Sequence, residues 1–277
     1  MPDWLALRAG ADSRARDTAT VDLLGALGER LEHDGVERLQ VVDLGAGTGA
    51  NRRYLQPRLP VPQRWVVLDH DPELLALDTH ADAQRVLGRV GDLDAVLGSL
   101  GPPADGEARL LTCSALLDVL TCEDLSSLAA AVVGSGAHAL FALSVTGAVA
   151  FEPEHADDTL LGRGFDDHQR LGGSPGPDAP RELVRMLEGS GALATSADTP
   201  WALTSGTEAE RVLLGRWMDE RVRDAAATVP QRERDRLDRW HEVRRAQLAS
   251  GTLSARVEHV DVLVLSSSSV TTSSPRT

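Results

Sequence analysis

Positions 39–50 of the chain read LQVVDLGAGTGA. The apolar run at its start predicts a buried parallel strand, and the alternating glycines Gly45, Gly47 and Gly49 predict a tight turn before a helix that begins at Ala50. Glycine suits a turn where a ligand approaches the backbone and a Cβ atom would collide. The free N–H groups at a helix start can donate to a polar ligand. This stretch therefore predicts a strand–turn–helix unit that binds a ligand.

The spacing of the glycines separates two kinds of nucleotide site. Nicotinamide and flavin sites usually carry G-x-G-x-x-G after the first strand. This chain instead has D-x-G-x-G-x-G beginning at Asp43, and position 50 is an alanine. A nicotinamide-dependent oxidoreductase is therefore not favoured.

A second motif follows at positions 65–75, which read WVVLDHDPELL. It predicts a buried strand ending at Asp69 and a helix capped by Asp71, with Pro72 in its first position. Asp69 follows Gly49 by about 20 residues, the interval at which nucleotide-binding α/β folds place an acid for ribose hydroxyls. A carboxylate can accept hydrogen bonds from both hydroxyls of a diol. The sequence VGDL at positions 90–93 is a third motif, at the end of a strand predicted from residue 84 to residue 90.

The three motifs, in this order, resemble those of the class I (Rossmann-like) S-adenosylmethionine-dependent methyltransferases, of the bacterial small-molecule type. The resemblance implies methyl transfer from S-adenosyl-L-methionine to a small-molecule acceptor, with oxygen, nitrogen and carbon all open as the methylated atom. It also implies an α/β fold with a seven-stranded, mostly parallel sheet and helices on both faces. The seventh strand would run antiparallel, between strands five and six.

The resemblance further implies roles for individual residues. Asp43 would lie near the ammonium of the cofactor's methionine part, Asp69 would hold the ribose hydroxyls, and His70 would lie against the adenine. The Asp92 carboxylate and the Leu93 N–H would recognise the adenine edge. The implied cofactor-binding set is Asp43, Gly45, Ala46, Gly47, Gly49, Asp69, His70, Asp92, Leu93 and Ser114.

Candidate acceptor-side residues follow later strands, because open α/β sheets bind ligands at the carboxyl ends of strands. Asp118 either points at the substrate or caps a helix. His168 is the first choice for a general base because imidazole titrates near neutral pH, although a surface helix without a catalytic role would contain the same residue. Arg170 could hold a substrate carboxylate by two contacts. Trp201 is the candidate for an apolar substrate wall.

The chain divides into three predicted parts. Residues 1–33 form an N-terminal helical cap, in which a short helix around Trp4 either covers the cofactor or only caps the core. Residues 34–265 form the methyltransferase domain, with a sixth strand interrupted at Pro200 and a helical insertion at about 207–250 between strands six and seven. Such an insertion covers an active site or makes a homodimer contact, and both remain open. Residues 266–277 are expected to form a disordered tail.

Composition narrows the function classes further. The formal net charge of −14 argues against a nucleic-acid partner, because phosphate recognition needs clustered positive charge. No apolar run is long enough for a bilayer and no secretion signal begins the chain, so a cytoplasmic location without membrane contact is expected. Cys113 and Cys122 lack metal-ligand spacing, so no metal site is predicted. A methyltransferase-like subunit that binds cofactor or a partner without catalysis is the alternative function.

Overall fold

A single sheet of eight strands runs through the computed structural model, which describes residues 2–78 and 82–266. The sheet order is third, second, first, fourth, fifth, eighth and sixth strand, and the seventh strand also pairs with the eighth. The first five strands are parallel, and the eighth runs antiparallel to its three neighbours. The strands are β1 (Arg38–Leu44), β2 (Gln63–Asp69), β3 (Gln84–Leu87), β4 (Glu107–Ser114), β5 (His138–Glu152), β6 (Leu193–Asp198), β7 (Trp201–Thr204) and β8 (Ser254–Leu265).

This topology confirms the predicted Rossmann-like α/β class, with the last strand antiparallel between the fifth and sixth strands. The predicted strand count of seven is wrong by one. Proline has no N–H for a strand ladder, so the interruption at Pro200 divides the predicted sixth strand into β6 and β7, which both pair with β8. The third strand is shorter than predicted, because residues 90–92 form a 3-10 turn instead of its end.

Helices cover both faces of the sheet, as predicted. The helices are α1 (Pro2–Asp17), α2 (Leu23–His33), α3 (Ala50–Leu55), α4 (Pro72–Leu77), α5 (Leu93–Leu100), α6 (Cys122–Ser135), α7 (Asp158–Gln169), α8 (Ala179–Gly189), α9 (Glu208–Thr228) and α10 (Gln231–Ser250). One core lies beneath α5, α6 and α8, and a second lies beneath α2, α3 and α4. Val41 and Val42 of β1 belong to different cores because successive side chains of a strand point to opposite faces.

A third apolar core lies beyond the carboxyl ends of the strands. It joins the far parts of β5 and β8 to β7, α1, α7 and the helix pair α9–α10. The pair α9–α10 is the predicted insertion, placed between β7 and β8. Trp240 of α10 is fully buried and packs edge-on against Phe151, with ring centres 5.3 Å apart. The insertion therefore supplies core residues as well as one side of the site described below.

Two of the sequence-based expectations concern the ends of the chain. The predicted short helix around Trp4 is α1, a helix of 16 residues that packs on the third core. Of the tail predicted at 266–277, only residue 266 lies within the described residues. Among those residues, no helix has both the length and the apolar character needed to cross a bilayer. In the same part of the chain, no group of three or more His, Cys, Asp or Glu side chains is placed to hold a metal ion.

Candidate cofactor and acceptor site

The glycine turn joins β1 to α3 in a left-handed backbone conformation. Gly45, Gly47 and Gly49 have φ angles of 61°, 54° and 77°, a region that side chains disfavour. The N–H of Gly47 donates to Oδ2 of Asp69 at 2.7 Å, and the N–H of Asp71 donates to Oδ1 of Asp69 at 3.0 Å. The structure thus brings the acid at the end of β2 against the turn, as the two motifs predict.

The space around the turn shows why these positions are glycine. A Cβ atom at Gly45 would lie 3.0 Å from the Leu116 side chain, and one at Gly49 would lie 3.2 Å from the Asp78 carboxyl. At Gly47 the nearest neighbour is the Leu5 side chain of α1, 3.5 Å away. Apart from that flexible side chain and the turn's own backbone, the outer side of Gly47 has nothing within 4 Å. The turn therefore leaves a cradle that α1 covers.

A buried polar network connects α1 to the turn. Oδ1 of Asp43 accepts a hydrogen bond from the Asn51 amide at 2.7 Å, and Oδ1 of Asn51 accepts one from Arg16 at 3.0 Å. Arg16 also lies 3.6 Å from the Asp261 carboxylate. Burial raises the pKa of Asp43 to about 7, which the Asn51 hydrogen bond opposes, and Oδ2 of Asp43 has no partner among the described residues. This unpartnered buried oxygen beside the turn fits a bound group that donates hydrogen bonds.

The residues predicted around the adenine form a less complete binding site than the glycine turn does. His70 is exposed, with Nδ1 3.4 Å from Asp69 Oδ1. Asp92 accepts a hydrogen bond from the Arg89 N–H at 2.8 Å, while the Leu93 side chain is buried and its N–H donates to the Val90 carbonyl. Oδ2 of Asp92 and the N–H of Leu93 are therefore engaged within their own turn. Their contact with the adenine edge stays a prediction.

Two neighbouring cavities lie under α1 near the ends of β4 and β5. Ser114, a predicted cofactor residue, lines the smaller one, of about 170 Å³, together with Asp12, Arg16 and Asn51. The other has a volume of about 200 Å³, and Leu143 lines both. A wider opening of about 660 Å³ lies between α1, α2 and α3, but none of the predicted site residues lines it.

We call the 200 Å³ cavity the acceptor cavity, because it begins at the carboxyl end of β4 and at the point in β5 where the parallel pairing with β4 ends, the edge at which open α/β sheets bind ligands. Its walls are aromatic and its polar groups come from five different elements. The aromatic residues are Trp4, Phe165, Trp201 and Trp217, and the polar residues are Arg8, Asp118, Gln169, Glu220, Arg221, Asp224 and His259.

Backbone strain occurs at two points beside the acceptor cavity, directly after β4 and where β5 stops pairing with β4. Ala115 and Leu143 have φ angles of 52° and 54° and line the cavity. A residue with a side chain loses about 1–2 kcal/mol in this conformation, and such strain concentrates at functional sites. The strain is supported by hydrogen bonds: the N–H of Leu143 donates to Asp261 at 2.7 Å, and that of Ala115 donates to the Ala142 carbonyl at 2.9 Å.

Two titratable groups of the cavity are held in defined states. Burial raises the pKa of Asp118, whose Oδ2 accepts a hydrogen bond from Gln169 at 2.7 Å. Burial lowers the pKa of His259 to about 3, so this imidazole is neutral near pH 7. Its Nδ1 lies 3.0 Å from the Val257 carbonyl and therefore carries the proton, which leaves Nε2 as a hydrogen-bond acceptor. The cavity thus offers a carboxyl group and a neutral imidazole.

The predicted acceptor residues divide into two groups. Asp118 and Trp201 line the cavity, and their contact with a substrate stays a prediction. His168 and Arg170 do not. Helix α7 turns Phe165 and Gln169 toward the cavity, and residues four apart share one helix face, so their neighbours point elsewhere.

Arg170 is exposed and pairs with Asp178 at 3.0 Å, outside the cavity, so its position does not support its predicted contact with a substrate carboxylate, which stays a prediction. His168 follows Gly164 by one helical turn, on the face that packs on α9, where a Cβ atom at Gly164 would lie 2.9 Å from the Cβ of Ala225. Its general-base role therefore finds no support from its position and stays a prediction.

Several residues of the acceptor cavity are not predicted from the sequence. Arg221 follows Trp217 by one helical turn on the buried side of α9, so an arginine within an apolar stripe was the available signal. His259 occupies the buried phase of β8, with Val257 before it and Asp261 after it. Arg8 carries no comparable signal in the sequence.

No family model matches the sequence, and no curated protein matches it. Solved structures are similar over most of the chain. The phosphoethanolamine N-methyltransferase 2 of Haemonchus contortus, solved with S-adenosyl-L-methionine, is 8% identical, with a TM-score of 0.42 and coverage of 87% of this chain and 52% of that one. The present chain therefore spans about half the length of that enzyme.

Two further solved structures are matched over a larger share of their own length. The YcgJ protein of Bacillus subtilis is 11% identical, with a TM-score of 0.47 and coverage of 89% of this chain and 99% of that one. The geranyl diphosphate C-methyltransferase of Streptomyces coelicolor A3(2) is 10% identical, with a TM-score of 0.43 and coverage of 88% and 79%. At these identities and TM-scores, a function has to be argued from the chain's own residues.

Proposed function

We propose that this protein is an S-adenosyl-L-methionine-dependent methyltransferase that acts on a small molecule. The observation that carries the proposal is the contact of Asp69 with the glycine turn, through the hydrogen bond from Gly47. It combines an open backbone cradle with an acid that can hold a diol. The acceptor cavity lies close by, since Leu116 packs against the turn and Ala115 lines the cavity.

The residues of the turn fit the cofactor. Each Asp69 oxygen accepts one hydrogen bond and has a second lone pair for a ribose hydroxyl. The unpartnered Oδ2 of Asp43 suits the cofactor's ammonium, directly or through a water. When bound, the cofactor supplies a methyl group on a positively charged sulfur. Because its reactivity is intrinsic, the protein has to orient the acceptor and exclude water.

Helix α1 serves both tasks. It places Leu5 over Gly47 and contributes Trp4 and Arg8 to the acceptor cavity. Asp12 anchors the helix, because it accepts a hydrogen bond from the Trp201 indole of β7 at 3.1 Å. Its pair with Arg8 at 2.9 Å, within α1, orients the arginine. We assign α1, within the N-terminal cap of residues 1–33, the role of a lid that closes over cofactor and acceptor together.

Proton handling falls to the two cavity groups rather than to His168. The Asp118 carboxylate and Nε2 of His259 can accept a hydrogen bond from the acceptor's nucleophilic atom. The raised pKa of Asp118 makes it the stronger base of the two, since the pKa of His259 is lowered to about 3. Asp118 is therefore our choice to orient the acceptor and take up its proton.

The remaining assignments concern the substrate class, the location and the helical insertion. The formal charge of −14 favours a small-molecule substrate over nucleic acid, and two unpaired cysteines favour a cytoplasmic location. Because α9 lines the acceptor cavity, we assign the 207–250 insertion to the substrate site rather than to a homodimer contact.

Calorimetric titration with S-adenosylmethionine and S-adenosylhomocysteine tests the proposal. We expect micromolar binding by the wild type, loss of at least tenfold in affinity for Asp69→Ala, and unchanged affinity for Asp105→Ala. Asp105 is an exposed acid just before β4, at the opposite end of the sheet. If the folded wild type binds neither ligand, the proposal is wrong and the non-catalytic alternative takes its place.

A further inference from the structure

Arg221 is a buried arginine without an ionic or hydrogen-bonding partner in the described part of the chain. Its side chain is 9% exposed, and its Nε is buried and donates to no acceptor there. The guanidinium carbon lies 3.8 Å from the Phe165 ring centre and 4.6 Å from that of Trp217. Burial lowers its pKa to about 10, so it still carries its charge near neutral pH.

The nearby acids do not neutralise this charge by contact. Asp118, Asp166 and Asp224 attract Arg221 from a distance, yet none forms an ion pair with it. Asp118 is hydrogen-bonded by Gln169.

The other cavity charges have partners of their own. Asp224 pairs with Arg223 at 2.8 Å, and Glu220 pairs with Arg216 at 3.1 Å. The second cavity arginine, Arg8, pairs with Asp12. Among the described residues, Arg221 is therefore the cavity's cation that lacks a counterion.

A buried charge without a counterion is costly, and removal from water is compensated only by an opposite charge in good geometry. The planar guanidinium presents paired donors that match a carboxylate, and it stacks on flat rings. Here its central carbon lies over the rings of Phe165 and Trp217, on the wall of the cavity. Its unsatisfied donors can be satisfied by an anion that enters the cavity.

The size and charge of the cavity limit the class of ligand that it can bind. An apolar cavity of about 150 Å³ accepts benzene, so about 200 Å³ accommodates one ring with small substituents. Trp201 and Trp4 provide further flat apolar surface. The acids Asp118, Glu220 and Asp224 disfavour a doubly charged ligand such as a phosphate ester.

We propose that the acceptor is a single-ring carboxylic acid, whose carboxylate binds Arg221 and whose ring lies among the cavity's aromatic side chains. This proposal rests on the proposed function, since it names the substrate class of the same site. It transfers the carboxylate-binding role from Arg170, which is exposed and paired with Asp178, to Arg221 on α9.

Equilibrium binding of simple probes tests the substrate class. The protein is first saturated with S-adenosylhomocysteine, and benzoate, benzamide and phenyl phosphate are then titrated while tryptophan fluorescence is followed, because Trp201 and Trp217 line the cavity. We expect benzoate to bind at least tenfold more tightly than its uncharged isostere benzamide, and more tightly than phenyl phosphate.

Two variants locate the contact. Arg221→Gln should reduce the preference for benzoate over benzamide to less than threefold, while Arg239→Gln should leave it unchanged. Arg239 is an exposed arginine of α10, so its replacement removes the same charge from the same helical insertion. A benzoate preference that survives in Arg221→Gln, or no preference in the wild type, would overturn the proposal.

Thermal unfolding separates a binding role from a structural one. Without ligand, Arg221→Met should unfold at the same temperature as the wild type or at a higher one, because it removes an uncompensated buried charge. A clear fall in unfolding temperature would instead assign Arg221 to the core and overturn its role as a ligand contact. Cofactor binding without selective benzoate binding refutes only this inference, whereas failure to bind S-adenosylhomocysteine refutes the proposed function.

Discussion

The carboxylate of Asp69 accepts the backbone hydrogen bond of Gly47 at 2.7 Å. This bond joins the end of β2 to the middle of the glycine turn, so the acid helps to set the turn's shape. The same acid is the proposed ribose contact. The conformation of the turn and the affinity for cofactor are therefore expected to change together.

Gly47→Ala tests this coupling. Its φ of 54° costs a residue with a side chain about 1–2 kcal/mol, whereas the added Cβ would be in ordinary contact with Leu5 at 3.5 Å. We expect a decrease of about 1 kcal/mol in the free energy of unfolding by urea, and cofactor affinity reduced at least tenfold by calorimetry. Gly98→Ala, in open space on α5, should keep both properties or gain stability. Equal effects of the two substitutions would contradict the coupling.

The raised pKa of Asp43 predicts that the stability of the protein depends on pH. Burial raises this pKa to about 7 from an ordinary value of 3.8, against the opposing hydrogen bond from Asn51. A group with a raised folded-state pKa stabilises the fold fully below its unfolded pKa, and this contribution is lost as the pH rises through the folded pKa. Between pH 4 and pH 7, Asp43 should therefore lower the free energy of unfolding by up to about 1.4 kcal/mol per pH unit.

Urea denaturation of wild type and Asp43→Asn across this pH range measures the contribution. The two stability curves should diverge as the pH rises, with the variant losing less stability than the wild type. Asp105→Asn, which replaces an exposed acid, should follow the wild type. Parallel curves for wild type and Asp43→Asn would show that Asp43 does not titrate in this range.

The contacts of Asp12 are expected to hold the α1 lid closed. Asp12 accepts the Trp201 indole hydrogen bond and pairs with Arg8 within α1, so Asp12→Ala removes one hydrogen bond between α1 and the wall of the acceptor cavity and releases Arg8. We expect amide hydrogen exchange in α1 to accelerate at least fivefold while exchange in α6 is unchanged, and bound S-adenosylhomocysteine to dissociate faster in stopped-flow measurements. Asp3→Ala removes an exposed acid from the same helix and should do neither. Unchanged exchange in Asp12→Ala would mean that α1 is held by other contacts.

The part of the site that the sequence predicts is the part built from contiguous residues. The glycine turn and Asp69 each follow a strand directly, so strand, turn and ligand group are read from one short segment. Trp201 is predicted for a similar reason, because the break at Pro200 marks a change of strand.

The acceptor cavity combines side chains that are far apart in the chain, and the sequence does not show that they meet. Arg8 comes from α1 and Arg221 from α9, which contains three other arginines. The apolar stripe around Arg221 marks it as buried, but only the spatial arrangement of the elements brings it to the same cavity as Arg8. In α7 the sequence predicts a role for His168, which stays a prediction. The cavity receives Phe165 and Gln169, and His168, adjacent to Gln169, points elsewhere because neighbouring helix positions face different directions.

A comparison of two buried arginines separates structure from function in the helical insertion. Arg244 of α10 has a side chain that is 0% exposed, like Arg221 it contacts aromatic rings, and it forms an ion pair with Asp158. Asp158 also accepts the Trp240 indole hydrogen bond at 2.7 Å. This pair links the start of α7 to α10. Nε of Arg244 is buried without a hydrogen-bond partner, as in Arg221, but the charge of Arg244 has a counterion within the protein.

Asp158→Asn should therefore destabilise the protein, in contrast to Arg221→Met. Removal of one member of a buried ion pair costs about 3–5 kcal/mol, because the other charge stays buried and uncompensated. We expect most of this loss in urea denaturation, and partial recovery in the double variant Asp158→Asn/Arg244→Met, which removes both charges. If Asp158→Asn were neutral while Arg221→Met destabilised the fold, the roles of the two arginines would be reversed, and Arg221 would belong to the core.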